Sequence, residues 1–65
     1  MLSIKINPRF YDALCIQETI NEFNEICDAS FDGTTLFLNP KGDIPNLQYE
    51  FLNYVLGLMK NKGLV

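Results

Sequence analysis

The chain has 65 residues, 48% of them hydrophobic, with five cations against eight acids, two cysteines and no histidine. One domain is expected over residues 1–65, near the lower size limit for folding alone, because a chain this small buries only about 60% of its extended-chain surface. The net charge of −3, with Lys5, Arg9, Lys41, Lys60 and Lys62 scattered along the chain, argues against nucleic acid and anionic membranes, whose phosphates call for clustered Lys and Arg.

Cys15 and Cys27 lie twelve residues apart. On one helix that spacing is roughly 18 Å, far beyond the ~7 Å between Cα atoms that a disulfide tolerates. No bridge is therefore expected, and free thiols suit a reducing cytoplasm. The opening Met-Leu-Ser-Ile-Lys lacks a signal-peptide pattern, and no apolar stretch approaches the ~20 residues that span a bilayer. The expectation is a cytoplasmic protein.

Leu2 to Asn7 alternates apolar and polar residues, the pattern of a half-buried strand with Leu2, Ile4 and Ile6 toward a core. Asn7-Pro8 ends it. Asp12 is placed to cap a following helix, with Tyr11 and Ile16 spaced for a hydrophobic staple. On that helix Ala13, Ile16, Ile20, Phe23 and Cys27 share one face, while Gln17, Glu18, Asn21, Glu22, Asn24 and Glu25 cover the other. Asp32-Gly33 is a hairpin signal, since such turns need positive φ. It predicts strands at about 28–32 and 34–39, with Ala29, Phe31, Leu36 and Leu38 inward and Phe37 on the opposite face. A last helix starts near Asp43 to Asn46, with Pro45 tolerated in its first turn and Gly63 as its stop.

That last helix is unusually apolar. Leu47, Phe51, Tyr54, Val55 and Leu58 form one stripe, and Leu52, Leu56 and Met59 form a second beside it. Glu50, Asn53, Gly57 and Lys60 fill a polar strip of only about 100°, so the apolar arc is roughly twice what an ordinary surface helix carries. One sheet and one helix do not readily cover it, which points to a second copy or a partner protein.

The element order β-α-β-β-α defines an α+β fold. Strands one and two run parallel on either side of strand three, which is antiparallel to both, and the crossover is right-handed. The expected architecture is a three-stranded mixed sheet of order 1-3-2 with both helices on one face and two open edges. The first strand is guarded only by Lys5, whereas Asp28 and Asp32 flank the second.

No catalytic constellation is present, and no enzyme is expected. Without histidine the usual general base is missing; Cys15 has no cationic neighbour in sequence and Cys27 falls on the apolar face. Glu18, Glu22 and Glu25 read as a solvated helical face and lack the oxygen-ligand loop of a calcium site. Asp28, Asp32 and Asp43 read as turn chemistry, and Asn-Pro-Lys-Gly at 39–42 does not fit a phosphate loop. No cofactor or metal is implied. The candidate interaction residues are Leu2, Ile4, Ile6, Phe37, Leu52, Leu56 and Met59.

Two segments carry a resemblance. Phe10-Tyr11-Asp12, then Ile16 and Phe23, followed by Glu50-Phe51-Leu52-Asn53 and Leu56, resemble the opening and the last helix of the small HxsD proteins of His-Xaa-Ser peptide-modification systems. The likeness covers residues 10 to about 60 in the same order and spacing; Tyr54 and Gly57 stand where that family often has acidic residues. The resemblance implies a non-catalytic accessory protein working beside a radical S-adenosylmethionine enzyme, recruiting either the ribosomally made precursor peptide or the maturase. The other expectation, independent of the resemblance, is a small homodimeric interaction domain of an unrelated pathway.

Overall fold

The structure, a computed structural model, describes residues 2–64. Its elements are β1 (Leu2–Lys5), α1 (Ala13–Glu22), β2 (Cys27–Phe31), β3 (Thr35–Pro40) and α2 (Leu47–Asn61). The sheet has the order β1-β3-β2. Both ladders are antiparallel, with Leu2 opposite Leu38 and Ile4 opposite Leu36 on one side, and Ala29 opposite Leu38 and Phe31 opposite Leu36 on the other. The expected mixed sheet is therefore corrected to an antiparallel one. β1 and β2 do run in the same direction, but β3 separates them, so their parallel relation involves no hydrogen bond.

The period-2 alternation decides which side chains meet the helices. Leu36 and Leu38 are fully buried at the centre of the inner face, beside Cys27 from β2, Ile6 just past β1, and the partly buried Ile4, Ala29 and Phe31. β1 is shorter than the alternation to Asn7 suggests. Ile6 nevertheless stays in register, its N–H donating to the Thr34 carbonyl at 2.7 Å.

After Pro8 the Asn7 side chain accepts from the Arg9 N–H at 2.9 Å, and its carbonyl accepts from Phe10 and Tyr11. The chain is thereby turned into α1. Asp12 caps that helix as expected, its carboxylate accepting the Cys15 N–H at 3.1 Å. The buried face of α1 is rotated from the expected one. Cys15, Ile16 and Thr19 are its buried residues, Ile20 and Phe23 are partly buried, and Ala13 is exposed. Thr19 tolerates burial because its hydroxyl donates to the Cys15 carbonyl at 2.7 Å, which removes the cost of an unpaired buried polar group.

Helix α1 also ends early, at Glu22. The Phe23 carbonyl accepts the N–H groups of both Ile26 and Cys27, and Cys27 belongs to β2, opposite Pro40. In the hairpin, Gly33 takes φ 109°, and the Asp32 carboxylate gathers the Thr34 and Thr35 N–H groups at 2.9 and 2.7 Å together with the Thr34 hydroxyl.

α2 begins at Leu47, directly after Asn46, the later of the two starts expected. Asn46 holds the cap position in a left-handed conformation (φ 58°) with no side-chain cap bond, and Pro45 lies outside the first turn. Its end is a Schellman motif: Gly63 at φ 73°, its N–H on the Lys60 carbonyl at 3.1 Å, and the Leu64 N–H on the Met59 carbonyl at 2.8 Å. Leu47, Phe51, Val55 and Met59 form the buried ridge of this helix. Phe23 of α1 packs edge-on to Phe51 and Tyr54, with ring centroids 5.2 and 5.6 Å apart, and Lys62 bridges to Glu18 at 3.0 Å. α1 thus packs on α2 and on β2. No helix among the described residues is long and apolar enough to cross a membrane.

Candidate protein-interaction surface

β1 is an edge strand, paired with β3 alone. The Ile6-to-Thr34 bond sets the parity of that ladder, because hydrogen-bonded and non-hydrogen-bonded pairs alternate along antiparallel strands. Leu2 and Ile4, two and one pairs back, direct their backbone groups at β3. Ser3 and Lys5 therefore direct theirs away from the sheet. Two N–H and two C=O groups face outward in a row, the template that strand addition uses.

The opposite edge is differently equipped. In the β2–β3 ladder the Asp32 N–H donates to the Thr35 carbonyl and the Lys41 N–H to the Ile26 carbonyl. By the same parity Cys27, Ala29 and Phe31 face outward from β2. The Cys27 N–H is already engaged by the Phe23 carbonyl at 2.9 Å. Asp28 and Asp32 both stand exposed on this strand and its turn. Lys41 ties down its start, with Nζ 2.7 Å from the Asn24 carbonyl and 3.8 Å from the Asp28 carboxylate. β1 is the freer edge.

The structure distributes the seven candidate residues over several places. Ile6 and Met59 are buried in the core, because Ile6 continues the inner face of β1 and Met59 closes the buried ridge of α2. Leu2, at 38% exposed, and the half-buried Ile4 lie on the inner face of β1. Leu52, half-buried, and Leu56, at 39% exposed, lie on the flank of α2 turned away from α1. Phe37 stands apart, half-buried on the outer sheet face between Ser3 and Ser30.

Tyr49, 62% exposed, sits within 20° of Leu56 at 100° per residue and extends the same flank. Its place was readable from the helical period, but an aromatic near a helix start looks like core until the buried ridge is known. The outward backbone groups of Ser3 and Lys5 depend on ladder parity, which no side-chain pattern announces. On the solvent side of α2, Asn53, Tyr54, Gly57, Leu58 and Asn61 line a shallow depression of about 350 Å³.

Cys15 and Cys27 are free and buried. Burial pushes both thiols above their ordinary values; the neighbouring Asp12 adds to the effect at Cys15 and Asp28 to that at Cys27. Neither is an activated nucleophile, which needs a lowered pKa and access. Among the described residues, no three His, Cys, Asp or Glu side chains come together to hold a metal ion. Comparison with models of known protein families, with curated proteins and with solved structures finds no match for this chain.

Proposed function

We propose that this chain is a non-catalytic accessory protein of a ribosomal-peptide modification system, and that it recruits the precursor peptide or the radical S-adenosylmethionine maturase in the cytoplasm by strand addition to β1. The observation that carries the binding mode is the row of outward N–H and C=O groups on Ser3 and Lys5 beside the exposed Leu2. The setting comes from the HxsD resemblance of residues 10–60. An adjacent gene for a radical S-adenosylmethionine enzyme supports that setting, and an unrelated operon removes its support. Titration with the neighbouring precursor, followed by backbone amide shifts, tests the mode. Shifts are expected on residues 2–6, and Ser3→Pro should abolish them, because proline deletes an outward donor while leaving the β3 ladder intact. Shifts confined to Leu52 and Leu56 would move the site to the helix.

The second reading, a homodimer of unrelated pathway, draws on the exposed flank formed by Tyr49 and Leu56 next to Leu52. Sedimentation at micromolar and tens-of-micromolar protein decides it, a single monomeric species at both concentrations ending that reading.

A further inference from the structure

The charges around the two sheet edges differ in sign. Asp28 on β2 and Asp32 in its turn are both exposed, as is Lys5 on β1. Lys41 lies 3.8 Å from Asp28, and Lys62 at the end of α2 pairs with Glu18 of α1 at 3.0 Å. Among the described residues, Lys5, Arg9 and Lys60 make no ion pair. Lys5 is on β1 itself, Arg9 follows β1 directly, and Lys60 stands one helical turn beyond Leu56 on the flank of α2 away from α1. Of these, Lys5 alone lies on the β1 edge.

We infer that the segment taken up by the β1 edge is an acidic strand of alternating apolar and carboxylate residues. The inference rests on the strand addition proposed above and specifies its occupant. A guest strand bonded to Ser3 and Lys5 places every second side chain on the inner face, level with the exposed Leu2 and the half-buried Ile4. The intervening side chains stand on the outer face with Lys5, where a carboxylate meets an unpaired ammonium group and a lysine meets a like charge. Opposite charges paired across strands are favourable and like charges unfavourable. The same guest is repelled from the β2 edge by Asp28 and Asp32, so charge selects the edge as well as the guest.

The test uses end-capped synthetic octapeptides with the full chain: alternating Val and Glu, alternating Val and Lys, and a block peptide of four Val followed by four Glu. Binding is read by amide shifts at low salt and again at 0.5 M NaCl. The Val–Glu peptide should shift Ser3 and Lys5, with the Val–Lys peptide about three- to tenfold weaker, the block peptide weaker still, and the Glu preference shrinking in salt. Lys5→Glu should reverse the order of the first two; Lys5→Gln, which leaves the edge uncharged, should make them equal. Edge shifts of equal strength for all three peptides would overturn the acidic, alternating occupant while leaving strand addition in place. No edge shift with any peptide would remove both. Ser3 and Lys5 amides already protected from exchange in a dimer of the free protein would assign the edge to a second copy and overturn the inference.

Discussion

The Asp12 side chain holds the start of α1 through one bond, its carboxylate accepting the Cys15 N–H. Asp12→Ala is expected to cost about 1 kcal/mol, the usual loss for an N-cap, read as a lower urea midpoint at unchanged slope. Glu25→Ala should stay within about 0.5 kcal/mol. So should Glu18→Ala, although Glu18 pairs with Lys62, because both side chains are half-exposed and such pairs contribute little. At Asp32 the Thr35 and Thr34 N–H groups hold the carboxyl below the ordinary aspartate value. The sign follows: a depressed folded pKa contributes stability above the unfolded value of about 3.9, and that contribution is lost as pH falls through the folded value. An Asp32 side-chain titration by NMR should show the low midpoint, and Asp32→Asn should flatten the acid limb of the stability profile. The thiols act in the opposite direction. With folded values raised by burial, they stabilise the fold at neutral pH, and that contribution declines as pH rises from about 8.5 through the higher folded values. Labelling of Cys15 and Cys27 by an aromatic disulfide should therefore be slow in the native protein and accelerate with urea, tracking opening. Fast labelling of Cys15 without denaturant would contradict its burial.

At the scale of the elements, α2 carries one evident flaw. Gly57 lies inside the helix, and a Cβ built there meets nothing within 4 Å. Gly57→Ala should stabilise the protein by up to about 1 kcal/mol, since alanine restricts the unfolded chain and costs no clash. A loss on that substitution would show that the depression beside Gly57 is filled by something in solution. The element order was legible because strand alternation, the Asp32-Gly33 turn and the apolar ridge of α2 are strong, local signals. Their ends were less so. Glu25 and Cys27 fit the helical period of α1, yet the β2 ladder claims Cys27 and the two bonds to the Phe23 carbonyl stop the helix first. Thr19 belongs to neither face in the sequence pattern, and it is buried with its hydroxyl satisfied on its own helix. Asn46 offers a side chain for capping, but its left-handed backbone leaves that bond unmade. The β1 edge was legible as an open strand with Lys5 as its guard. That Ser3 and Lys5 carry the outward groups was not, because parity is a property of the pairing.

Across the whole molecule, α2 is the element that joins the parts. Leu36 and Leu38 from the sheet, Cys15 and Ile16 from α1, and the ridge of α2 form one cluster, with Phe51 its largest fully buried side chain. Phe51 also receives Phe23 edge-on at 5.2 Å, so it links the two helices as well as α2 to the sheet. Truncating such a residue costs about 3–5 kcal/mol from lost burial and the cavity left behind. At 0.05–0.15 kcal/mol per residue, a chain this long has only about 3–10 kcal/mol of total stability. Phe51→Ala is therefore expected to remove about a third or more of the total stability, read as a sharply lowered urea midpoint. Phe51→Leu, which keeps most of the volume, should fold with a reduced midpoint. The control is Leu14, equally apolar but 70% exposed on α1. Leu14→Ala should fall within about 0.5 kcal/mol of the parent, because its side chain is already in water. A cooperative transition for Phe51→Ala with a loss below 1 kcal/mol would mean that α2 is not docked across the sheet. A large loss for Leu14→Ala would mean that the exposed face of α1 is covered by a second copy in solution.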